Sequence, residues 1–171
     1  MDIYVSALLA AEAVFALFLL YKAGLLTSAP RLLLSIVLTA AAFVLRAALF
    51  DHETLDYQNF LTVWVDFFRR HGGFRALNTP VGNYNIPYLY FLALFSYSGI
   101  RDLYLIKLLS VFFDVVLAYA AMQLVGKCTQ SDRKRLFCFF AVLFMPTVVL
   151  NGALWGQCDS TYTALAVLGI Y

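Results

Sequence analysis

Charge is what this chain has least of. Only 13% of its residues are Asp, Glu, Lys or Arg, roughly half the share usual in a water-soluble domain. With 63% apolar residues, this deficit points to lipid as the solvent rather than to a large aqueous surface. The net charge of +2 is too small to suggest a nucleic-acid partner. Cysteine is scarce as well. Cys128, Cys138 and Cys158 form no C-x-x-C pair and have no histidine nearby. That pattern gives no disulfide framework or metal cage and reads as apolar filler. No glycine-rich phosphate loop is present, so a nucleotide cofactor has no signature. A basic leader is missing too: Asp2 stands at the start and no small-residue cleavage site follows, which excludes a secretory signal.

What the chain does have is long apolar runs. A helix crosses the hydrocarbon with roughly 20 apolar residues. Residues 3–21, with Glu12 inside, make one such run, and residues 32–50, with Arg46 near the far end, make a second. Residues 103–125 make a third and hold Lys107 and Asp114. Residues 136–151 make a fourth, with Pro146 as a kink. Residues 161–171 read as the start of a fifth. The expected fold is therefore an all-α, polytopic transmembrane bundle. Residues 1–171 are read as the N-terminal part of a longer multi-pass domain. Residues 51–102 form a long external loop carrying interfacial helices.

The apolar core of residues 83–100 covers only 86–95. A stretch of about 10–14 residues is more often interfacial than spanning. Tyr84, Tyr88, Tyr90 and Tyr97 suit such a place, with the ring in apolar surroundings and the hydroxyl wet. Charge agrees. The short loop with Lys127, Arg133, Lys134 and Arg135 shares the cytoplasmic side with Lys22 and Arg31 only if residues 83–100 do not cross. The first long loop and residues 152–160 then lie together outside.

Two polar stretches carry candidate chemistry. The first opens Asp51-His52-Glu53-Thr54-Leu55-Asp56-Tyr57. Thr54 is placed to cap a helix running to about Arg70, whose apolar face carries Phe60, Trp64, Phe67 and Phe68; it is expected to lie flat on the membrane with Phe60, Trp64 and Phe67 buried. Asp56 falls in its first turn, where an acid either stabilises the helix dipole or acts on a ligand at the surface. The paired Gly72-Gly73 end that helix, and Pro87 opens the next. His71 reads as a helix-terminal residue rather than a ligand. The second stretch is Asn151-Gly152-Ala153-Leu154-Trp155-Gly156-Gln157-Cys158-Asp159-Ser160. It is either a polar hairpin with Asp159 as a cap, or a site.

These two stretches resemble the GT-C superfamily of membrane glycosyltransferases, in the branch related to protein O-mannosyltransferases. The match runs from Asp56-Tyr57 through Phe60 and Trp64 to His71-Gly72-Gly73-Phe74. It continues through Asn83-Tyr84-Asn85-Ile86-Pro87-Tyr88-Leu89-Tyr90 and ends at Trp155-Gly156-Gln157-Cys158-Asp159-Ser160. The resemblance implies an enzyme of the cell membrane that takes a sugar, mannose among the candidates, from a polyprenyl- or dolichyl-phosphate carrier. Transfer to the acceptor takes place at the external face. It implies Asp56 as the base that activates the acceptor, with Asp51 as runner-up because it lies nearest the membrane exit. It implies Asp159 as a second acid or metal ligand, with Mg²⁺ or Mn²⁺ as the ion. Where such proteins carry Pro-Pro in the loop, this chain has Ile86-Pro87.

The leaving group in that chemistry is a phosphate, and its growing charge needs a cation. Arg46, Arg69, Arg70 and Arg101 are candidates, with Gln157 as a polar contact. Arg46 has a second reading, as the buried partner of Asp114. The competing function is a transporter or flippase-like protein, with Glu12, Arg46, Lys107 and Asp114 lining a path.

Overall fold

The computed structural model describes all of residues 1–171 and is built from helices alone. Helix α1 spans Ile3–Lys22; the Asp2 carboxylate opens it by accepting the Val5 N–H at 2.9 Å. Gly24, at φ 72°, turns the chain. Helix α2, Ala29–Ala47, starts with Pro30 in its first turn and ends three residues before the predicted limit. Helix α5, Asp102–Cys128, is the longest at 27 residues, or about 40 Å. These three are long and apolar enough to cross a membrane. The rest of the chain buries few residues of α1 and α2, 22% and 28% in their apolar windows, and 44% in that of α5. Val14, Leu33 and Val44 are exposed. Such a surface fits lipid or further helices, not water.

The fourth apolar run is broken. Helix α6 (Asp132–Leu143) and a second piece over Pro146–Trp155 meet at 45°, as expected where a proline lacks its N–H. The second piece begins as the one-turn helix α7 (Pro146–Val149) and widens into a π-turn over Leu150–Trp155. Gly156, at φ 69°, ends it, and helix α8 follows over Asp159–Ile170.

Between α2 and α5 lie shorter elements. The chain turns helical at Leu55, widens into a π-turn over Tyr57–Leu61 and continues as α3, Thr62–Arg70. Thr54 caps it as the sequence predicts, its Oγ1 accepting the Tyr57 N–H at 3.2 Å. The buried face differs from the prediction. Trp64 and Phe68 are buried, Phe67 is half-buried and Phe60 is 50% exposed. The π-turn inserts an extra residue and rotates Phe60 off the stripe that Trp64 and Phe68 share. Gly72 and Gly73 adopt positive φ. At Gly73 a Cβ would meet the Tyr97 ring, whose hydroxyl accepts the Phe74 N–H and donates to the Gly72 carbonyl. Helix α4, Ile86–Phe95, has ten residues, about 15 Å, half of what a crossing needs.

Ionic contacts fix the helices at both ends and in the middle. At one end the Lys107 ammonium donates to the Leu49, Phe50 and His52 carbonyls at 2.7–3.0 Å, closing the last turns after α2. Nearby, Asp51 takes bonds from the chain's N-terminal amine and from Tyr104. At the other end Arg31 bonds Asp132 at 2.8 Å and joins α2 to α6. In the middle, Arg46 and Asp114, both 0% exposed, meet at 3.0 Å. Arg46 also donates to the Leu143 carbonyl at 3.0 Å, where α6 breaks. Asp114 accepts the Ser160 hydroxyl at 2.6 Å and packs so close to Gly152 that a Cβ there would lie 2.7 Å from its Oδ2.

Removing one partner of a buried ion pair leaves an uncompensated charge, at a cost of about 3–5 kcal/mol. Asp114→Ala should therefore melt far below wild type in detergent. The double variant Arg46→Met/Asp114→Ala should lose less than Asp114→Ala alone. Equal melting of the single variant and wild type would show that the pair carries no such weight.

Candidate functional site

The two polar stretches meet at Gln157. Gly156 releases the chain from the π-turn, and the Gln157 N–H donates to the Asn151 carbonyl at 2.8 Å. The Gln157 carbonyl accepts the Ser110 hydroxyl from α5 at 2.9 Å. So anchored, the side chain reaches two ways. Its Nε2 donates to Asp56 Oδ2 at 2.7 Å, and its Oε1 accepts the Tyr84 hydroxyl at 2.7 Å. Two residues on, the Asp159 carboxylate is held by Asn151 Nδ2 at 2.8 Å and by the Tyr162 hydroxyl at 3.0 Å. Asp56 and Asp159 are thus joined at one end of the helices through Gln157 and its neighbours. Each acid is half-buried.

Asp159 opens α8 but does not cap it. Its side chain makes no capping bond, and Cys158 holds the cap position. The carboxylate points to Asn151 and Tyr162 instead. The reading of Asp159 as a helix cap is therefore corrected.

A cleft of about 620 Å³ lies beside this bridge. Tyr84, Tyr88 and Phe91 line one wall; Asp159, Thr161 and Leu165 line the other. Burial, with Cys158, Asp56 and Asp159 adding negative potential, raises the Tyr84 phenol to about 12. Tyr84 therefore stays a donor to Gln157 at neutral pH. Tyr88, 6% exposed, is pushed higher still by burial.

The other sequence candidates stand apart from the cleft. Asp51 is exposed, and its carboxyl is lowered by the amine and phenol that bind it. Arg69 and Arg70 both pair with Asp66. Arg101 pairs with Glu53, and that bond raises the guanidinium above its ordinary value. Arg46 is spent on Asp114. His71 caps α3, with Nδ1 2.8 Å from the Phe67 carbonyl.

Sequence reasoning gave no site role to Tyr84, Tyr88 or Thr161, and named Asn151 only as part of the second polar stretch. Tyr84 meets its partner across 73 residues, and no spacing rule reaches that far. The π-turns that bring Asp56 and Asn151 into place leave no periodic signal either.

No group of three or more His, Cys, Asp or Glu side chains converges in a metal-binding arrangement. Magnesium is commonly held by one or two carboxylates, with water and substrate phosphate completing the shell. Asp159 with Asp56 supplies that much. The amides of Gln157 and Asn151 each donate an N–H to one oxygen of these acids, so an ion would meet Asp56 through its free Oδ1 or require the amides to turn. No family model, curated protein or solved structure matches the chain.

Two outcomes test this geometry. Gln157→Leu leaves the Tyr84 hydroxyl and one Asp56 oxygen without their partner. It should cost about 1–3 kcal/mol for each group that water cannot reach, read by thermal unfolding. Unchanged melting would mean that the bridge does not form. The second outcome concerns Glu53, whose pKa is lowered from 4.5, chiefly by its bond from Arg101. A carboxyl lowered on folding stabilises above its unfolded pKa, and that contribution fades as pH falls through the folded value. Wild type should therefore out-melt Glu53→Gln at pH 7, and the gap should close progressively below pH 4.5. A gap that stays constant down to pH 3 would remove the ion pair from the account.

Proposed function

We propose that the protein is a membrane glycosyltransferase, moving a sugar from a polyprenyl- or dolichyl-phosphate carrier to an acceptor hydroxyl. The observation that supports this reading best is the union of Asp56 and Asp159, 103 residues apart in the sequence, around Gln157 beside one cleft. The resemblance of both stretches to the GT-C superfamily supplies the reaction class. Positive charge gathers at Lys22, Arg31, Lys127, Arg133, Lys134 and Arg135, on the short connections at the opposite end of the helices. That end is assigned to the cytoplasm and the site to the external face of a multi-pass protein.

In this mechanism Asp56 is the base. Gln157 fixes one of its oxygens, Oδ2, and Oδ1 remains to accept a proton. The acceptor hydroxyl loses that proton to Asp56 as its oxygen attacks the anomeric carbon. The bond from that carbon to the carrier phosphate breaks, and the phosphate leaves with the electron pair. Tyr84 keeps Gln157 oriented, since a protonated phenol fixes which end of the amide faces Asp56. A divalent ion held by Asp159, when bound, would offset charge on the phosphate.

Transport is the weaker reading. Arg46 and Asp114 are sealed against each other at 0% exposure instead of lining a path.

Asp56→Asn keeps the shape and the bond from Gln157 but cannot take a proton. Transfer in defined lipid should fall by about 100- to 10,000-fold, with melting unchanged. Asp159→Asn should lower activity in a way that depends on added divalent ion. Wild-type rates in Asp56→Asn would move the role of base to Asp51, and wild-type rates in both would end the transferase reading of this loop.

A further inference from the structure

Four buried hydroxyls have no hydrogen-bond partner: Ser35 and Thr39 lie on α2, while Tyr88 Oη and Thr161 Oγ1 belong to residues that line the cleft beside Asp159. Buried polar groups without partners are uncommon in folded proteins, and each asks for an explanation. Tyr88 and Thr161 stand on opposite elements, α4 and α8, with an open volume between them. At about 620 Å³ that volume is in the range of small-molecule sites.

The charge of the lining narrows the ligand. None of the 12 lining residues is Lys, Arg or His, and the one carboxylate is Asp159. Without a bound divalent ion, a phosphate placed there would face a like charge, and no lining side chain supplies a cation to offset it. The arginine candidates are already paired, Arg101 to Glu53, Arg46 to Asp114, and Arg69 and Arg70 to Asp66. A neutral polyol suits the same walls. Its hydroxyls can satisfy Tyr88 and Thr161 once these side chains turn toward the cleft, since neither hydroxyl is exposed to it at rest, and its C–H face can lie on the Tyr84–Tyr88 pair, whose centroids are 5.2 Å apart. Phe113 and Leu165 offer an apolar continuation for an attached chain.

We propose that this cleft is the acceptor subsite, that it takes an uncharged glycoside carried on an apolar chain with Tyr88 and Thr161 as hydrogen-bond partners, and that the donor phosphate binds elsewhere. The name acceptor rests on the transferase reading above; the preference for a neutral hydroxylated ligand does not.

The experiment uses the protein in bilayer discs of phosphatidylcholine. The probes are an alkyl glucoside bearing a diazirine and an alkyl phosphate with the same chain and the same diazirine. The glucoside should label peptides holding Tyr88 and Thr161 saturably, and excess alkyl phosphate should not compete. Tyr88→Phe and Thr161→Val should each weaken labelling about three- to tenfold, the worth of one hydrogen bond. Tyr88→Phe should melt no lower than wild type, because it removes an unpaired hydroxyl. Asp159→Asn should raise labelling by the phosphate probe. Phosphate labelling the wild-type cleft more tightly than glucoside would overturn the proposal. So would glucoside labelling at the wild-type level in both hydroxyl variants, or labelling that never saturates. Sugar transfer without glucoside labelling would sink the subsite and spare the transferase reading. Saturable glucoside labelling without transfer would do the reverse.

Discussion

A carboxylate with no water around it must find every partner it needs inside the protein, and Asp114 is such a group. Its partners come from two directions, Arg46 on α2 and Ser160 on α8, and the bare backbone at Gly152 leaves room for it. Arg46 carries the constraint further, to the Leu143 carbonyl at the break between α6 and α7. One anion in the longest helix thereby fixes the distance and rotation of the segments packed on it. The polar bridge above it inherits that placement, since Asn151 and Asp159 are the chain neighbours of Gly152 and Ser160.

This arrangement separates two kinds of polar group. Arg46 and Asp114, in the middle of the helices, are saturated by their partners and face neither solvent nor cleft. Those at the end are held more loosely: Asp56 keeps a free oxygen, and Tyr88 and Thr161 have no partner at all. Reactivity belongs to the second kind, because a group with all its hydrogen bonds made has little left for a ligand. The loose groups are tolerable because the tight ones hold the helices that carry them.

Much of the helical plan was legible in the sequence. Apolar runs set α1, α2 and α5, Pro146 marked the break, Thr54 the cap and Gly72-Gly73 the end of α3. The pairing of Arg46 with Asp114 was readable as well, because two opposite charges in apolar runs have few other ways to be stable. The site was legible only in pieces. Asp56, Gln157 and Asp159 stood out as polar residues among apolar ones. The phenol that completes the bridge, and the unpaired hydroxyls beside it, looked like ordinary interface residues. Phe60 shows the reason in miniature. A π-turn of five residues shifts the helical phase, and periodicity read from the sequence cannot see the shift. The same kind of turn at Leu150–Trp155 hid the link between Asn151 and Asp159.

Lys107 gathers three carbonyls that follow α2, yet it is made 55–58 residues after them. During synthesis the end of α2 therefore waits, unfinished, for a helix not yet translated. Arg46, a turn earlier, waits 68 residues for Asp114 on that same helix. The first helical pair is in consequence provisional: its polar groups must find other partners until α5 arrives. Assembly of this protein then hinges on how long such partners last against the time needed to make the loop in between.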